Sequence, residues 1–409
     1  MNNMCTATYR LHDDHADFRK KAQSIAIGMT VGSWTELPQA QREAMQKHLG
    51  EVINVEVYEA EGVGVGAGER YADITIGYPD VNFSRDIPAL LVTVFGKISM
   101  DGRIKLTKLG FSDGFLSAFP GPKFGLNGVR DLLEVHDRPL LMSIFKSVIG
   151  LDADELREQF IRQALGGVDL IKDDEILFEN KLTPIEKRVE VCMKAAEQAR
   201  QETGKKLLYA TNLTGPTSRL KQQAEHAIGA GANALLFNVL SYGYDVLHEL
   251  SSDPDINVPI MAHPALAGAL YPSPHYGISA SVVLGQLMRL AGADLVLFPS
   301  PYGSVTMPKE ENMAITEQLL SSDLPMRTSM PVPSAGIHPG LVPMILRDFG
   351  NDVIVNAGGG IHGHPMGTEA GGRAFLQAIE AAGRSIPLAE YAVEHPELQS
   401  ALDLWGGER

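Results

Sequence analysis

The run Gly166-Gly167-Val168-Asp169-Leu170-Ile171-Lys172-Asp173-Asp174-Glu175 joins an apolar stretch directly to a lysine and three acids. A charge run is ordinarily a solvated surface. These charges, however, stand where a buried strand ends and a loop begins, the edge that holds the chemistry in β/α barrels. Asp174 and Glu175 offer hard oxygen donors suited to Mg²⁺. Lys172, two residues before Asp174, projects to the same side of an extended strand. An ammonium cannot bind a metal, so Lys172 is an ion-pair partner, a base, or a lysine carrying an added carboxylate.

Positioning such a group requires strands at regular spacing, and the chain supplies them. Strand-like runs at 138–146, 168–171, 206–212, 234–239, 258–262, 294–298, 330–334 and 352–357 are separated by helical segments. This is the pattern of a (β/α)₈ TIM barrel over residues 126–409. The helix after the opening run is expected to start at Thr183-Pro184-Ile185-Glu186, with a cap, a proline first and a glutamate third. The strand ends then bring Lys146, Lys172, Asn212, Asn238 and His263 to one rim. There Lys146 reads as a substrate-binding cation and His263 as a substrate contact. Gly358-Gly359-Gly360, with Ser334 and Gly336, offers bare backbone N–H groups where such barrels hold phosphate. His362 and His364 read as turn residues rather than ligands.

Residues 1–125 lack that alternation and read as an α+β, ferredoxin-like domain. Its strand candidates are 6–11, 51–60, 71–78, 88–98 and 103–111, with a helix from an Asp17 cap to Gly28. The glycine-rich run 62–68 lacks the lysine and the strand–loop–helix setting of a phosphate loop, and reads as a hairpin connection. Phe119-Pro120-Gly121-Pro122-Lys123-Phe124-Gly125 marks the linker.

Composition bounds the partners. Over 409 residues the net charge is −15, with 44% hydrophobic and 21% charged residues. That sign of charge argues against nucleic acid as a partner, whereas a small phosphorylated ligand needs only local donors. Two cysteines, Cys5 and Cys192, build no disulfide framework and suit a reducing cytoplasm. No apolar run approaches the ~20 residues of a membrane span.

These motifs resemble the large subunit of RuBisCO and its RuBisCO-like relatives. The opening run is similar to the carboxylase signature in which the lysine is carbamylated and binds Mg²⁺ with the following Asp and Glu. Phe119-Pro120-Gly121-Pro122, Arg138-Pro139-Leu140-Leu141, Ser334-Ala335-Gly336-Ile337-His338, Gly358-Gly359-Gly360 and Gly363-His364-Pro365 match in order and at similar separations. The resemblance implies Mg²⁺ held by Asp174, Glu175 and Lys172, with CO₂ taken up as a carbamate on Lys172. It implies substrate contacts from Lys146, Lys172, Asp173, Asp174, Glu175, His263, Ser334, Gly336, Gly358 and Gly359.

The departures point away from carboxylation. The Lys-Pro-Lys of the carboxylases is here Lys146-Ser147-Val148, and Tyr302-Gly303-Ser304-Val305-Thr306 lacks the mobile-loop lysine. Pro264 replaces an arginine, and Gly28 replaces a glutamate from the N-terminal domain. The run 30–38 and Val94-Phe95-Gly96-Lys97 instead resemble the enolase branch of methionine salvage, in which a lysine stands where carboxylases have asparagine. This implies Lys97 as general base. The substrate implied is a phosphorylated diketone, 2,3-diketo-5-methylthiopentyl 1-phosphate. A homodimer is implied as well, in which Ser33, Trp34 and Lys97 reach the partner's barrel. Rival expectations are an isomerase of 5-methylthioribulose 1-phosphate or of a four-carbon sugar-acid phosphate, and a non-catalytic phosphate-ligand sensor.

Overall fold

The computed structural model describes residues 3–32, 38–59, 69–303 and 305–407. Ser33, Trp34, the glycine-rich run 62–68 and Ser304 lie outside the described residues. The chain forms two compact units, Met1–Pro120 with Leu266–Ala291, and Gly121–Ala265 with Gly292–Arg409.

The first unit is built on a five-stranded sheet. Strand Met4–His12 lies antiparallel between Tyr71–Pro79 and Ile104–Gly110, with Glu51–Tyr58 at one edge and Gly277–Ile278 at the other. Period-two patterning does the work: Cys5, Ala7, Tyr9 and Leu11 are buried, and the residues between them are not. Helix Phe18–Gly28 begins where the Asp17 carboxylate accepts from the Arg19 and Lys20 amides, as the capping residue predicts.

Residues 88–98 correct the sequence reading. They form no strand but a helix, Ile87–Phe95, followed by a 3₁₀ turn, Lys97–Met100. Asp86 caps it by accepting from Ala89 N at 2.7 Å, and Pro88 sits harmlessly in the first turn. Ile87, Leu90 and Val94 are buried at helical spacing while Val92 is 69% exposed. Apolar, β-branched composition had masked the period of 3.6.

The second unit holds the eight expected strands, all parallel where paired: Leu140–Ile144, Leu170–Lys172, Leu208–Asn212, Ala234–Phe237, Ile260–Ala262, Leu295–Pro299, Met330–Ser334 and Ile354–Ala357. The eighth pairs with the first, and between the seventh and eighth Asn356 Nδ2 donates to Ser334 Oγ at 2.8 Å. Met142, Leu170, Ala210, Leu236, Met261, Leu297, Val332 and Ile354 form the inner core. Their neighbours Leu141, Ile171, Tyr209 and Leu235 are equally buried, as parallel strands covered on both faces require.

Two local expectations change. Helix Ile185–Thr203 starts after Pro184, but Thr183 does not cap it. Thr183 is bonded to Asn180, and Glu179 Oε2 accepts from Ile185 N at 3.1 Å instead. After the fifth strand the β/α rhythm breaks, because 266–291 joins the first unit. There Gly277–Ile278 pairs with Lys105 and Leu106, Lys105 Nζ donates to the carbonyls of Tyr271 and Ser273 at 2.7 Å each, and the Gln286 amide bonds both backbone groups of Leu109. Both cysteines are buried, which raises their thiol pKa and leaves them inert. No helix among the described residues is long and apolar enough to cross a membrane.

Candidate active site

The strand ends of the second unit carry the titratable cluster. Lys172 is the last residue of the second strand and only 1% exposed, and its Nζ donates to the Asp173 carbonyl at 2.7 Å. Glu175 Oε2 lies 3.8 Å from that nitrogen. Burial drives the Lys172 amine down to about 8, with Glu175 and Asp174 pulling the other way. From the first strand end, Lys146 Nζ donates to Asp174 Oδ2 at 2.9 Å. Ser147, the next residue, has φ of 55°, a value closed to proline, so this loop could not take the carboxylase Lys-Pro-Lys sequence in the same conformation.

His263 follows the fifth strand, its Nε2 3.5 Å from Glu175 Oε2. The Ala265 amide donates to its Nδ1 at 3.2 Å, which assigns the ring proton to Nε2, facing the acid. Burial first, then Lys172 and Lys146, hold its pKa well below the usual range and keep it neutral. Lys146, Lys172, Asp174, Glu175 and His263 are thus brought together on one rim.

Asp173 is not among them. Its Oδ1 accepts from Tyr209 OH at 2.6 Å, and its Oδ2 from Thr211 Oγ1 and from the Asn212 amide. Arg188 Nε lies 3.0 Å from that same oxygen, with both side chains fully buried. Arg188 and Tyr209 were missed in the sequence because nothing local ties them to Asp173, whereas Thr211 stood at the predicted end of the third strand. Asn212 and Asn238 stood at predicted strand ends, and their amides both donate to the Glu175 carbonyl, at 2.9 and 3.1 Å. They fix the loop that carries the acid.

Glycine geometry shapes the opposite side of the rim. Ala335 and Gly336 take successive φ values of 76° and 66°, and a Cβ on Gly303 would lie 1.7 Å from the Ala335 carbonyl oxygen. The loops after the sixth and seventh strands are therefore locked together. Gly358 lies against Lys146, since a Cβ there would meet Lys146 Cε at 3.1 Å, whereas Gly359 faces open space. The turn Gly359–His362 begins at this point, and its first backbone N–H groups have no partner within the turn. The Ser334 hydroxyl is engaged, donating to Val332 O at 2.9 Å and accepting from Asn356. His362 Nε2 meets the Ile144 carbonyl and His364 Nε2 the Glu397 carbonyl, so both serve structure, as their turn setting suggests.

In the first unit Lys97 is exposed. It lines a cleft of about 470 Å³ together with Gly28, Met29, Ile98 and Asp101. Gly28 and Lys97 therefore face the same space. Lysine Lys309, the first after the sixth strand, is ion-paired to Asp348 at 2.8 Å.

Residues 125–405 match the model of the ribulose bisphosphate carboxylase large chain, catalytic domain. The chain is 55% identical over 403 residues to a 2,3-diketo-5-methylthiopentyl-1-phosphate enolase of Geobacillus kaustophilus, covering 98% of this chain and 97% of the relative. A solved rubisco-like protein (MtnW) from Alicyclobacillus acidocaldarius superposes with a TM-score of 0.93 at 48% identity, covering 99% of this chain and all of that one (100%). An octameric ribulose-1,5-bisphosphate carboxylase/oxygenase from Pyrococcus horikoshii has a TM-score of 0.90 at 29% identity, covering 99% and 94%.

Proposed function

The chain belongs to the RuBisCO large-chain family, and from that premise we propose that it is a keto–enol tautomerase of methionine salvage. It converts 2,3-diketo-5-methylthiopentyl 1-phosphate to 2-hydroxy-3-keto-5-methylthiopentenyl 1-phosphate. The observation that carries this reading is the buried Lys172 beside Asp174 and Glu175 on a strand-end rim, with Lys146 and neutral His263 around it. The enolase name of its relative supports the substrate.

The donor set fits Mg²⁺. Two carboxylates supply hard oxygens, and Lys172, whose amine burial brings down to about 8, adds CO₂ with loss of a proton to give a third anionic ligand. When bound by Lys172, Asp174 and Glu175, the ion supplies Lewis-acid stabilisation of the enolate charge.

The chain's own groups do the rest. Lys97 accepts the proton from the carbon bearing the phosphate ester. His263 donates from Nε2 to a substrate oxygen, and Lys146 offers an ammonium to the same developing charge. Backbone N–H groups at Gly336, Gly358 and Gly359 hold the phosphate and so choose which carbon faces the base, while Ser334, its hydroxyl proton given to Val332 O, only supports the loop they stand on. Lys172, Asp174 and Glu175 would hold the ion beside this array, to polarise the substrate oxygens. Asp173 acts only by holding the loop through Arg188. Lys97, Ser33 and Trp34 act on the barrel of a partner subunit in a homodimer.

The test is proton exchange on the diketo phosphate in D₂O, followed by NMR with and without Mg²⁺ and bicarbonate. Deuterium entry at the phosphate-bearing carbon, dependent on Mg²⁺, is the expected result. Turnover of 5-methylthioribulose 1-phosphate without any such exchange would overturn the assignment.

A further inference from the structure

In the first unit, three donors distant in sequence meet away from Lys97. His12 ends the strand Met4–His12, Glu69 precedes Tyr71–Pro79 by two residues, and His275 precedes Gly277–Ile278 by two. Their ligand atoms lie within 4.8 Å of one another. Glu69 Oε2 is 3.0 Å from His12 Nδ1 and 2.6 Å from His275 Nε2. The two imidazoles meet edge-on, with centroids 4.6 Å apart at 82°.

Two further observations point to a ligand. The His12 side chain is only 9% exposed, and neither of its ring nitrogens makes a hydrogen bond of ordinary geometry. An enclosed imidazole whose Nε2 has no hydrogen-bond partner, and whose Nδ1 faces a carboxylate outside hydrogen-bond geometry, is rare without a purpose. Arg103 Nη1 lies 3.4 Å from Glu69 Oε1, which leaves Oε2 as the oxygen facing both rings. Arg103 Nη2 in turn lies 4.0 Å from Asp14, so its charge is shared between two acids. Burial, then the neighbouring His275, lowers the His12 pKa and favours the neutral ring, which keeps one nitrogen's lone pair available to a metal.

We propose that His12, Glu69 and His275 form a site for a divalent transition ion of the Zn²⁺ class. Two imidazoles and one carboxylate are a borderline-soft set that favours Zn²⁺, Ni²⁺ or Co²⁺ over Mg²⁺. Ligand lengths of about 2.0–2.1 Å place tetrahedral donors roughly 3.3 Å apart, a small outward shift from the 3.0 and 2.6 Å that separate Glu69 Oε2 from the two rings and within the 4.8 Å span of the whole set. A water completes the fourth position. The ion acts as a clasp: it joins the end of the central strand, the entry to its neighbour, and the segment 266–291 that interrupts the barrel sequence.

The test uses Co²⁺ on chelator-stripped, full-length protein carrying Asp174→Asn and Glu175→Gln, so that the barrel acids do not compete. One Co²⁺ per chain with visible d–d absorption is expected. His275→Gln or Glu69→Gln, at side chains 28% and 46% exposed and so tolerant of change, weakens binding by about tenfold or more. Zn²⁺ raises the melting temperature of the parent but not of either variant. No bound Co²⁺, or binding and spectra unchanged by both substitutions, would overturn the proposal.

Discussion

Asp173 and Asp174 are neighbours in the chain whose carboxylates meet cations in different places. Asp173 Oδ2 lies 3.0 Å from Arg188 Nε with both side chains fully buried, while Asp174 Oδ2 accepts from Lys146 on the rim. One acid braces the second barrel strand from behind; the other is left to the site. Removing Arg188 strands a charge in the interior, at a cost of about 3–5 kcal/mol. Arg188→Met should lower the unfolding free energy obtained from urea titration by that amount, and Asp173→Asn in the same chain should restore part of it. An unchanged unfolding free energy would show the pair to be dispensable.

Lys97→Ala is expected to lower turnover by roughly 10²–10⁴, the range of a positioned general base. The melting temperature and Mg²⁺ affinity should stay close to the parent's, because Lys97 is exposed. Strong residual proton exchange at the substrate carbon would remove Lys97 from the role of base.

Activation by bicarbonate should depend on pH in a defined sense. Only the neutral amine adds CO₂, and Lys172 is driven by burial to about 8. The reactive fraction therefore climbs about tenfold per pH unit below 8 and levels off above it. Activation rates measured from pH 6.5 to 9 at constant dissolved CO₂ should follow that curve. Activity that survives Lys172→Ala and ignores CO₂ would dispose of the carbamate.

Acid should destabilise the fold through its buried histidines. His263 and His362 are both held below the usual 6.5 by burial, so the folded state binds fewer protons than the unfolded chain just under that value. Their contribution is complete above pH 6.5 and is lost as pH falls toward the folded values. Melting temperature should decline between pH 7 and 5. His362→Gln, which keeps a donor for the Ile144 carbonyl, should make that decline shallower.

Gly359→Asp probes the phosphate assignment with little risk to folding, because a Cβ there meets nothing within 4 Å. A carboxylate beside the ester should raise KM for the phosphorylated substrate by about 100-fold at unchanged melting temperature. Gly360→Ala is the contrast, since its Cβ would lie 2.3 Å from the Ile337 carbonyl oxygen and should cost stability instead. Equal KM values for Gly359→Asp and parent would move the phosphate elsewhere.

The sequence by itself determined the eight barrel strands to within a few residues and the rim on which Lys146, Lys172, Asp174, Glu175 and His263 meet. Strand runs are local, their periodicity is written in the side chains, and barrel topology then sends every strand end to one side. Other features depend on atoms far apart in the chain. Helix Ile87–Phe95 was settled by the Asp86 cap and by which apolar residues found a core. The segment 266–291 left the barrel rhythm because Gly277–Ile278 found a free sheet edge at Lys105 and Leu106. Asp173 turned inward because Arg188, fifteen residues on, needed a counter-ion once buried. His12, Glu69 and His275, separated by up to 263 positions, share no local pattern at all. Local periodicity encodes elements; the pairing of buried charges and the meeting of distant donors exist only once those elements have packed.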